Sequence, residues 1–334
     1  MKWSNVYNLP GPIVELISED LYHGKRDTQL KAYLKEHGLS EDIPHFSISD
    51  LIRPPRMRVL VKRHYQEIVK DIANDVFRLL GQAIHHLLRD GAMKARLQGR
   101  GYYIPEERMF THFESSNGKM VVISGEPDLV TPEGEIHDYK VVAVWSWLKG
   151  AKTEWEQQVN SYALLRKLNG FDTTALKICF ILRDFNLRET LQEGYPKAGV
   201  QMQEVPLWPF QQTQLWIEQR AMLHLKAEQE KDEELLQECL PEEMWERPES
   251  WAVSREGSSR ATKLYKSEEL GKEIAHEAAN ADRDSRNGSL KKNDKPFFVE
   301  HRPGERIRCH LYCDARGYCN SWKEYSGAAF GKLK

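Results

Sequence analysis

The chain has 334 residues, a formal net charge of −2, a hydrophobic fraction of 40% and nine tryptophans. This composition supports one large domain or two smaller ones with a proper core, and it excludes a largely disordered chain. Apolar runs are too short to span a membrane and the first residues do not resemble a signal peptide, so we expect a cytoplasmic protein without membrane contact. The small net charge does not by itself indicate a nucleic-acid-binding protein, so the distribution of charge along the chain matters more than its sum.

Residues 1–45 predict an irregular lead segment with short helices, and a larger core is expected over residues 46–225. Pro54 and Pro55 interrupt any helix at the start of that core. After them the pattern predicts one long helix from about Met57 to Arg89. Its expected buried stripe repeats with the helical period through Ile68, Ile72, Val76, Leu79 and Ala83.

A basic run and an acidic run stand out from the neutral background. The segment from Leu51 to Gln66 contains no acidic residue and carries Arg53, Arg56, Arg58, Lys62 and Arg63. Such a run is typical either of a solvated helix face or of a surface that binds phosphates. The acidic run, Glu228–Glu249, is expected to be a solvated face.

The segment Gly125–Lys140 predicts two extended stretches that flank a tight turn at Thr131–Glu135, because Pro132 presets φ and Gly134 permits a positive φ. Side chains alternate along a strand, so Asp138 and Lys140 project from the same face. Carboxylates and an ammonium group at one place are costly to bury, but they suit a divalent cation beside a phosphate. The alternative is a surface hairpin with a salt bridge.

Two helical patterns accompany this segment. Gly81 and His85 form a G-x-x-x-H pattern before it, and Gln158 and Tyr162 lie on one face of a helix predicted over Thr153–Leu168. An apolar, β-branched strand follows at Ala175–Arg183. The predicted order is therefore helix, three strands, helix, strand.

The pattern Pro127-Asp128 followed by Asp138-x-Lys140 resembles the PD-(D/E)xK nuclease superfamily, and the accompanying patterns resemble its RecB-like and Cas4-like branch. The resemblance implies an α/β fold with a restriction-endonuclease-like core, in which helices flank a mixed sheet. It also implies that Asp128, Asp138 and His85 bind Mg²⁺ or Mn²⁺. His86 is an alternative to His85, because His86 falls nearer the centre of the expected apolar stripe.

The same resemblance implies a metal-dependent DNA nuclease, with Lys140 beside the attacked phosphate and with Gln158 and Tyr162 in contact with phosphate or the departing strand. An exonuclease or end-processing role in phage or bacterial replication, recombination or repair is expected, in the host cytoplasm if the protein is phage-encoded. Its partners would be single-stranded DNA or duplex ends and proteins of recombination or replication. Alternatives are a non-catalytic DNA-binding or assembly subunit that keeps the fold, and an RNA nuclease.

Further residues are candidates for substrate contacts. The basic run, Lys149 and Lys152 would bind backbone phosphates. Trp145 or Trp147 would either stack on a base or pack in the core, and Glu114 is a candidate extra carboxylate.

Beyond the core, the sequence predicts an acidic helical connector over residues 226–250, a small ββαβ module over 251–300 and a tail over 301–334. A helix is expected from about Pro209 to Leu240. The polar stretch Asp282–Lys295 inside the small module is expected to be a loop.

The tail carries Cys309, Cys313 and Cys319 within eleven residues, which indicates a metal site in a reducing compartment. Cas4-like and AddB-like nucleases carry a similar triplet completed by a cysteine upstream of the core, which this chain lacks at the matching position. A zinc site is therefore favoured over a [4Fe–4S] cluster. His310, His301 or Cys239 would supply the fourth ligand, and Cys179 is expected to be a buried apolar residue.

Overall fold

A computed structural model describes residues 1–18, 23–101, 103–105, 107–115, 118–258, 261–284 and 295–330. The chain forms two compact units, Met1–Gln237 and Glu238–Lys334. Each unit contains helices and strands of its own.

The described part of the first unit contains eight α-helices, two short 3₁₀ helices (Ile72–Asp75 and Leu187–Leu191) and ten strands. The helices are α1 (Gly11–Ser18), α2 (His23–Glu36), α3 (Ile48–Ile52), α4 (Pro55–Arg63), α5 (Val76–Leu97), α6 (Val144–Trp147), α7 (Thr153–Leu168) and α8 (Phe210–Gln229). The strands are β1 (Lys2–Ser4), β2 (His45–Ser47), β3 (Val69–Asp71), β4 (Ile104–Pro105), β5 (Met109–Glu114), β6 (Met120–Gly125), β7 (Leu129–Val130), β8 (Ile136–Val142), β9 (Leu176–Leu182) and β10 (Val200–Val205).

These strands form two mixed sheets and one parallel pair. A five-stranded sheet has the order β10-β9-β8-β7-β4, in which only β8 and β9 are parallel. A three-stranded sheet has the order β2-β6-β5, with β2 parallel and β5 antiparallel to β6. Strands β1 and β3 pair in parallel. The protein is therefore an α/β protein with mixed sheets.

Helix α7 packs against both mixed sheets and carries much of the core of the first unit. Val159 and Leu165 on this helix are fully buried, together with Ile123 on β6 and with Ile178 and Phe180 on β9. The β9 sequence LKICFIL explains this position, because a nearly continuous apolar run suits a strand that is covered on both faces.

The long helix predicted from Met57 to Arg89 is wrong. Helix α4 ends at Arg63, and the chain then forms β3 and a 3₁₀ turn before α5 begins at Val76. Ile68 and Ile72 are buried as predicted, but Val76 is exposed. The break follows from the pairing of β3 with β1, which is distant in sequence, and local periodicity does not register such a pairing.

The predicted extension of α8 to Leu240 is also wrong, and the acidic segment after Gln229 is not helical. Glu230 caps α8 with an extended backbone conformation. Two acidic residues of this region contact α4 or the residue that follows it. Glu228, at the end of α8, lies 2.6 Å from Arg58 of α4, and Glu233 lies 3.1 Å from His64, which follows α4. These contacts favour a chain that turns away from the axis of α8 after Gln229.

The second unit contains a three-stranded antiparallel sheet covered by one helix, and a smaller strand pair. Its described elements are β11 (Glu246–Arg247), β12 (Ser250–Arg255), β13 (Lys263–Tyr265), α9 (Glu268–Asp284), β14 (Phe297–Arg302), β15 (Glu305–Arg306), α10 (Ile307–Leu311), a 3₁₀ helix at Arg316–Tyr318 and α11 (Asn320–Phe330). The sheet order is β13-β12-β14, and β11 pairs with β15. The predicted ββαβ order over residues 251–300 is thus present. Most of the loop expected at Asp282–Lys295 lies outside the described residues.

Within the described ranges of both units, no helix combines the length and the apolar content needed to cross a bilayer.

Candidate functional site

The turn predicted at Thr131–Glu135 connects β7 to β8 and sets the position of the acidic residues. The Thr131 amide donates to the Glu135 carbonyl, and Gly134 has a φ of +87°. Strands β7 and β8 pair with Leu129 opposite His137, so Asp128 is placed beside the first half of β8. Asp138 lies within β8, one residue beyond that pair.

Asp128 is held in place by two contacts that use different oxygens. Its Oδ2 accepts a hydrogen bond from the backbone N–H of Tyr139 at 2.7 Å. Its Oδ1 lies 3.1 Å from His85 Nδ1, on α5. The helix and the hairpin therefore meet at this carboxylate.

His85, and not His86, faces the acidic residues. Burial lowers the pKa of His85, but the hydrogen bond and charge of Asp128 outweigh it, so the pKa lies above its ordinary value. The His86 side chain is 53% exposed and contacts Arg89 and Asp90. His86 lies at the centre of the expected apolar stripe only if one long helix runs from Met57. Helix α5 instead begins at Val76, and His85 is partly buried on it whereas His86 is exposed.

Asp138 is a fully buried carboxylate paired with a lysine. Its side chain is 1% exposed, and its Oδ2 lies 2.6 Å from Lys140 Nζ in an ion pair that lacks good hydrogen-bond geometry. Desolvation raises the pKa of Asp138 to about 6, although the nearby Lys140 ammonium opposes the shift. A buried carboxylate oxygen without a well-directed donor is a suitable ligand for a cation.

A chain of hydrogen bonds continues from Lys140 to α7. Lys140 Nζ donates to Gln158 Oε1 at 2.9 Å, and Gln158 Nε2 donates to the Tyr162 hydroxyl at 2.8 Å. Burial raises the pKa of Tyr162, and the charges of Asp138 and Asp128 raise it further, so the hydroxyl stays protonated. The predicted i, i+4 relation of Gln158 and Tyr162 is present as a direct contact.

Asp128 and Asp138 are the side chains of this group that could ligate a divalent cation such as Mg²⁺ or Mn²⁺. In the part of the chain that the structure describes, no three or more His, Cys, Asp or Glu side chains are already arranged around one ion position. Mg²⁺ commonly takes only one or two protein carboxylates and fills its octahedron with water and substrate oxygens. In that mode of binding, Asp128 and Asp138 would be the protein ligands.

Most of the predicted basic run makes contacts inside the first unit. Arg56 is buried and donates to the Leu236 carbonyl, and Arg63 donates to the Glu230 carbonyl. Arg58 and Lys62 both bond to Glu228, at 2.6 and 3.3 Å. Of the five cations of this run, Arg53 is the one that lines a cavity beside Asp128. The run is therefore largely engaged with the acidic segment and does not form an open basic face.

The remaining predicted contact residues lie in different parts of the first unit. Lys149 Nζ lies over the ring of Trp145, and Lys152 Nζ over the ring of Trp155. Trp145 is 53% exposed, whereas Trp147 packs against the core. Glu114 ends β5 opposite Met120, at the far end of the β5–β6 pair from Gly125.

Several polar residues that the motifs do not include lie at the same cavity. Arg108 Nη1 donates to Ser124 Oγ at 3.3 Å, and Nη2 forms an ion pair with Glu126. Ser124 Oγ lies 2.8 Å from His45 Nε2. Sequence patterns contain no signal for these contacts, because they join segments that come together only in the three-stranded sheet.

In the second unit, four cysteines lie close enough to perturb one another. Burial raises the pKa of Cys239 to about 12, and Glu243 and then Cys309, Cys319 and Cys313 add to the rise. Burial likewise raises the pKa of Cys313 to about 12. The thiols belong to separate segments, 239 and 309–319, that lie within electrostatic range of one another, although among the described residues they are not arranged around one ion position.

The two histidines considered for the fourth position have other contacts. The His310 ring stacks on Trp322 at a centroid distance of 5.8 Å. His301 Nε2 lies 3.0 Å from Glu249 Oε2 and its ring lies beside Trp251. These contacts favour Cys239 as the fourth residue of the group. Cys179 is buried in β9, as expected.

No protein-family model and no curated protein sequence matches the chain. Among solved structures, the crystal structure of SSO0001 is similar with a TM-score of 0.38 and 16% sequence identity, covering 60% of this chain and 85% of that one. A similarity of this size carries no argument about fold or activity.

Proposed function

We propose that the first unit is a metal-dependent nuclease of the PD-(D/E)xK type, which hydrolyses phosphodiester bonds in DNA. The observation that carries the proposal is the convergence of separate sequence patterns on one place. Asp128, Asp138 and Lys140 of the β7–β8 hairpin are joined by His85 from α5 and, through Lys140, by Gln158 from α7. A purely structural salt bridge needs none of the additional groups.

Each residue has a role that follows from its contacts. Asp128 and Asp138 would hold the divalent cation, which when bound supplies an activated water and neutralises charge on the phosphate. The amide of Tyr139 fixes Asp128 by its Oδ2, and His85 either joins the ligands or holds Oδ1 in place. Because Asp128 is already fixed in this way, its carboxylate would need to move little during the reaction.

Lys140 provides a positive charge that is fixed before substrate arrives. Asp138 and Gln158 hold its Nζ at 2.6 and 2.9 Å, and Tyr162 holds Gln158 in turn. A preorganised cation stabilises the negative charge that develops on phosphate oxygens in the transition state. Lys140 is therefore the residue whose removal should affect the chemical step most directly.

The test compares Lys140→Ala with Lys177→Ala on linear single-stranded DNA, duplex DNA and RNA with Mg²⁺ or Mn²⁺. Lys177 is the matched control, because it is a similarly covered lysine on the neighbouring strand β9 whose Nζ pairs with Glu135 at 2.7 Å, outside the site. Wild type and Lys177→Ala should cleave DNA, and Lys140→Ala should lose activity by about 100-fold or more, the size of effect seen when a preorganised charge is removed.

The same assay separates the alternatives. Protein that binds DNA and cleaves nothing with either metal would indicate the non-catalytic subunit. Cleavage of RNA but not of DNA would indicate an RNA nuclease. Equal activity of wild type and Lys140→Ala would exclude a role for the lysine, and with it this mechanism.

For the second unit we propose a metal site formed by Cys239, Cys309, Cys313 and Cys319, with zinc as the favoured metal. Four thiolates match both a structural zinc site and a four-cysteine iron–sulfur cluster. Metal content and the visible absorbance of freshly purified protein distinguish the two. Cys239→Ser should release the metal, whereas His310→Gln and the control Cys179→Ala should keep it. Retention of metal by Cys239→Ser together with release from His310→Gln would assign the fourth position to the histidine.

The wider role that we propose is end processing of DNA in replication, recombination or repair. The substrates would be single-stranded DNA or duplex ends, and the partners would be recombination or replication proteins. This role agrees with a cleft lined by Asp128 together with arginines.

A further inference from the structure

A cavity of about 530 Å³ opens beside Asp128. Its lining includes Asp128, Gln158 and Tyr162 of the candidate reaction site. It also includes three arginines that come from separate segments of the chain. These are Arg26 on α2, Arg53 at the end of α3 and Arg108 before β5. We refer to these three residues as the arginine wall.

Arg108 is held in a fixed position by its neighbours. Ser124 and Glu126 each accept a hydrogen bond from a different terminal nitrogen of its guanidinium, and His45 holds Ser124 at 2.8 Å. The Arg108 side chain is only 16% exposed, which limits its freedom further. Because the guanidinium has further N–H donors beyond these two, Arg108 can keep both contacts and still bind an anion.

Arg53 has an exposed side chain on a fixed backbone. Its amide closes the last turn of α3 by donating to the Asp50 carbonyl, and its own carbonyl accepts a hydrogen bond from Arg220 at 2.7 Å. The helix end is therefore anchored on both sides, while the guanidinium projects where a ligand can meet it. Arg53 is among the residues that the sequence assigns to phosphate contacts, and it lines the cavity with Arg108.

Two acidic residues of the lining outside the candidate reaction site, Asp50 and Glu126, are already engaged. Asp50 accepts hydrogen bonds from the backbone N–H and the hydroxyl of Ser47 and lies 3.7 Å from Arg58. Burial raises the pKa of Asp50, but these hydrogen bonds and the charge of Arg58 outweigh it, so the net pKa is lowered. Glu126 is paired with Arg108. An anion that enters the cavity therefore meets arginine donors, while Asp50 and Glu126 are already paired.

The size of the cavity restricts what can enter. Its volume is that of a small-molecule site. One or two unpaired nucleotides fit such a space, whereas a section of double helix does not.

From this arrangement we infer that the arginine wall is a phosphate subsite, which takes a phosphate of an unpaired nucleic-acid strand next to the bond held at Asp128 and Lys140. The inference rests on the proposed nuclease function for the identity of the strand. Holding a neighbouring phosphate fixes the register of the strand, so the next phosphodiester is presented to the carboxylates. The chemistry is shared by a terminal phosphate and an internal one, and the experiment distinguishes them.

Binding is measured by fluorescence anisotropy with full-length Lys140→Ala protein and no added divalent metal, so that cleavage does not interfere. Four labelled DNAs are compared: a short single strand with a 5′-phosphate, the same strand with a 5′-hydroxyl, a single-stranded circle and a blunt duplex. Three variants of the Lys140→Ala protein are made. The first carries Arg53→Gln, the second carries Arg108→Gln together with Glu126→Gln, and the third is the control, Lys62→Gln. The double substitution avoids leaving Glu126 without its partner. Lys62 is a surface cation that is 70% exposed and paired with Glu228. Lys62 does not line the cavity.

Each substitution in the arginine wall should weaken single-strand binding about 10- to 100-fold, as expected when a hydrogen bond to a charged group is removed. The slope of log K against log salt should become shallower by about 0.7 for each phosphate that the variant no longer neutralises. Lys62→Gln should change binding less than about threefold, because its charge is exposed, screened and already paired. An effect confined to the 5′-phosphorylated strand assigns a terminal phosphate, and an equal effect on the circle assigns an internal one.

Two results would overturn the inference: arginine-wall variants no weaker than Lys62→Gln, or duplex binding that weakens as much as single-strand binding. If the Arg108 double variant fails to fold, Arg53→Gln alone decides, since its side chain is exposed. Because the readout is binding, it is independent of catalysis. A protein that shows this discrimination yet cleaves nothing would refute the nuclease and leave the subsite in place.

Discussion

Replacing Gly125 with alanine should destabilise the first unit, because three buried side chains occupy the space where the new methyl group would lie. An ideal Cβ at this position would be 2.6 Å from Leu165 Cδ1, 2.9 Å from Tyr162 Cδ1 and 3.0 Å from Ile48 Cγ1. All three are core residues with at most 4% exposure, so none can move into solvent. Overpacking of this kind costs about 1–3 kcal/mol, and three simultaneous contacts place the expected destabilisation near the upper end.

Gly81→Ala is the matched control, since it makes the same chemical change in another of the predicted sequence patterns. No heavy atom lies within 4 Å of its Cβ position, and the residue is inside α5. Alanine there should stabilise the protein by about 0.5–1 kcal/mol, because glycine in a helix interior is entropically unfavourable. The two substitutions should therefore change stability in opposite directions.

Urea denaturation gives the two stability changes, and hydrogen exchange of peptides from β6 and α7 locates them. Adding Leu165→Ala to Gly125→Ala removes the side chain nearest to the new methyl group, so the combined destabilisation should be smaller than the sum of the single effects. The strain should also displace Tyr162 and, through it, Gln158 from Lys140, which would lower the proposed nuclease activity of protein that is still folded. An unchanged free energy of unfolding in Gly125→Ala, or additive effects in the double variant, would refute close packing around this glycine.

Further predictions concern other parts of the first unit. Burial lowers the pKa of His224 to about 4, from an ordinary value near 6.5, so the imidazole is neutral in the folded protein. Because the unfolded chain binds the proton more readily, the free energy of unfolding decreases as the pH falls from about 7 towards 4. In His224→Leu this decrease between pH 7 and 5 should be about 2 kcal/mol smaller than in wild type, measured by urea denaturation at both values; an unchanged acid sensitivity contradicts this. Ser47→Ala removes a capping box with Asp50 and should cost about 1 kcal/mol at the start of α3, visible as faster local hydrogen exchange. Glu228→Gln should cost about 1 kcal/mol or less through its pair with Arg58 and should have no such effect in 1 M salt, whereas a salt-independent cost would indicate packing instead.

Local patterns predicted those parts of the site that depend on short sequence separations. The alternation that puts Asp138 and Lys140 on one face appears as an ion pair at 2.6 Å. The i, i+4 spacing of Gln158 and Tyr162 appears as a hydrogen bond at 2.8 Å. In both cases the periodicity of the element fixes the neighbours, and tertiary structure has only to retain the element.

Contacts between distant segments could not be predicted in this way. The choice between His85 and His86 depends on the face of α5, and local periodicity misjudges that face because the chain between Arg63 and Val76 pairs with the N-terminal strand. Arg108 and Glu126 meet beside the β5–β6 pair without any sequence signal, because ion-pair partners have no preferred spacing. The approach of Cys239 to the C-terminal triplet also joins segments far apart in sequence, and the sequence could name it only as one of three alternatives, beside His310 and His301.

The distribution of charge explains how a nearly neutral protein could still bind a polyanion. The most basic stretch of the sequence is paired with the acidic segment, with Arg58 and Lys62 both on Glu228 and Arg63 beside Glu233. Such pairs are screened and contribute little to long-range attraction, so they do not make a binding face. In the proposed function, affinity would come from a few arginines concentrated in a concave site, where a phosphate is partly desolvated and each contact is stronger. For this reason Arg53 and Arg108, rather than the basic run as a whole, should set the strength of single-strand binding.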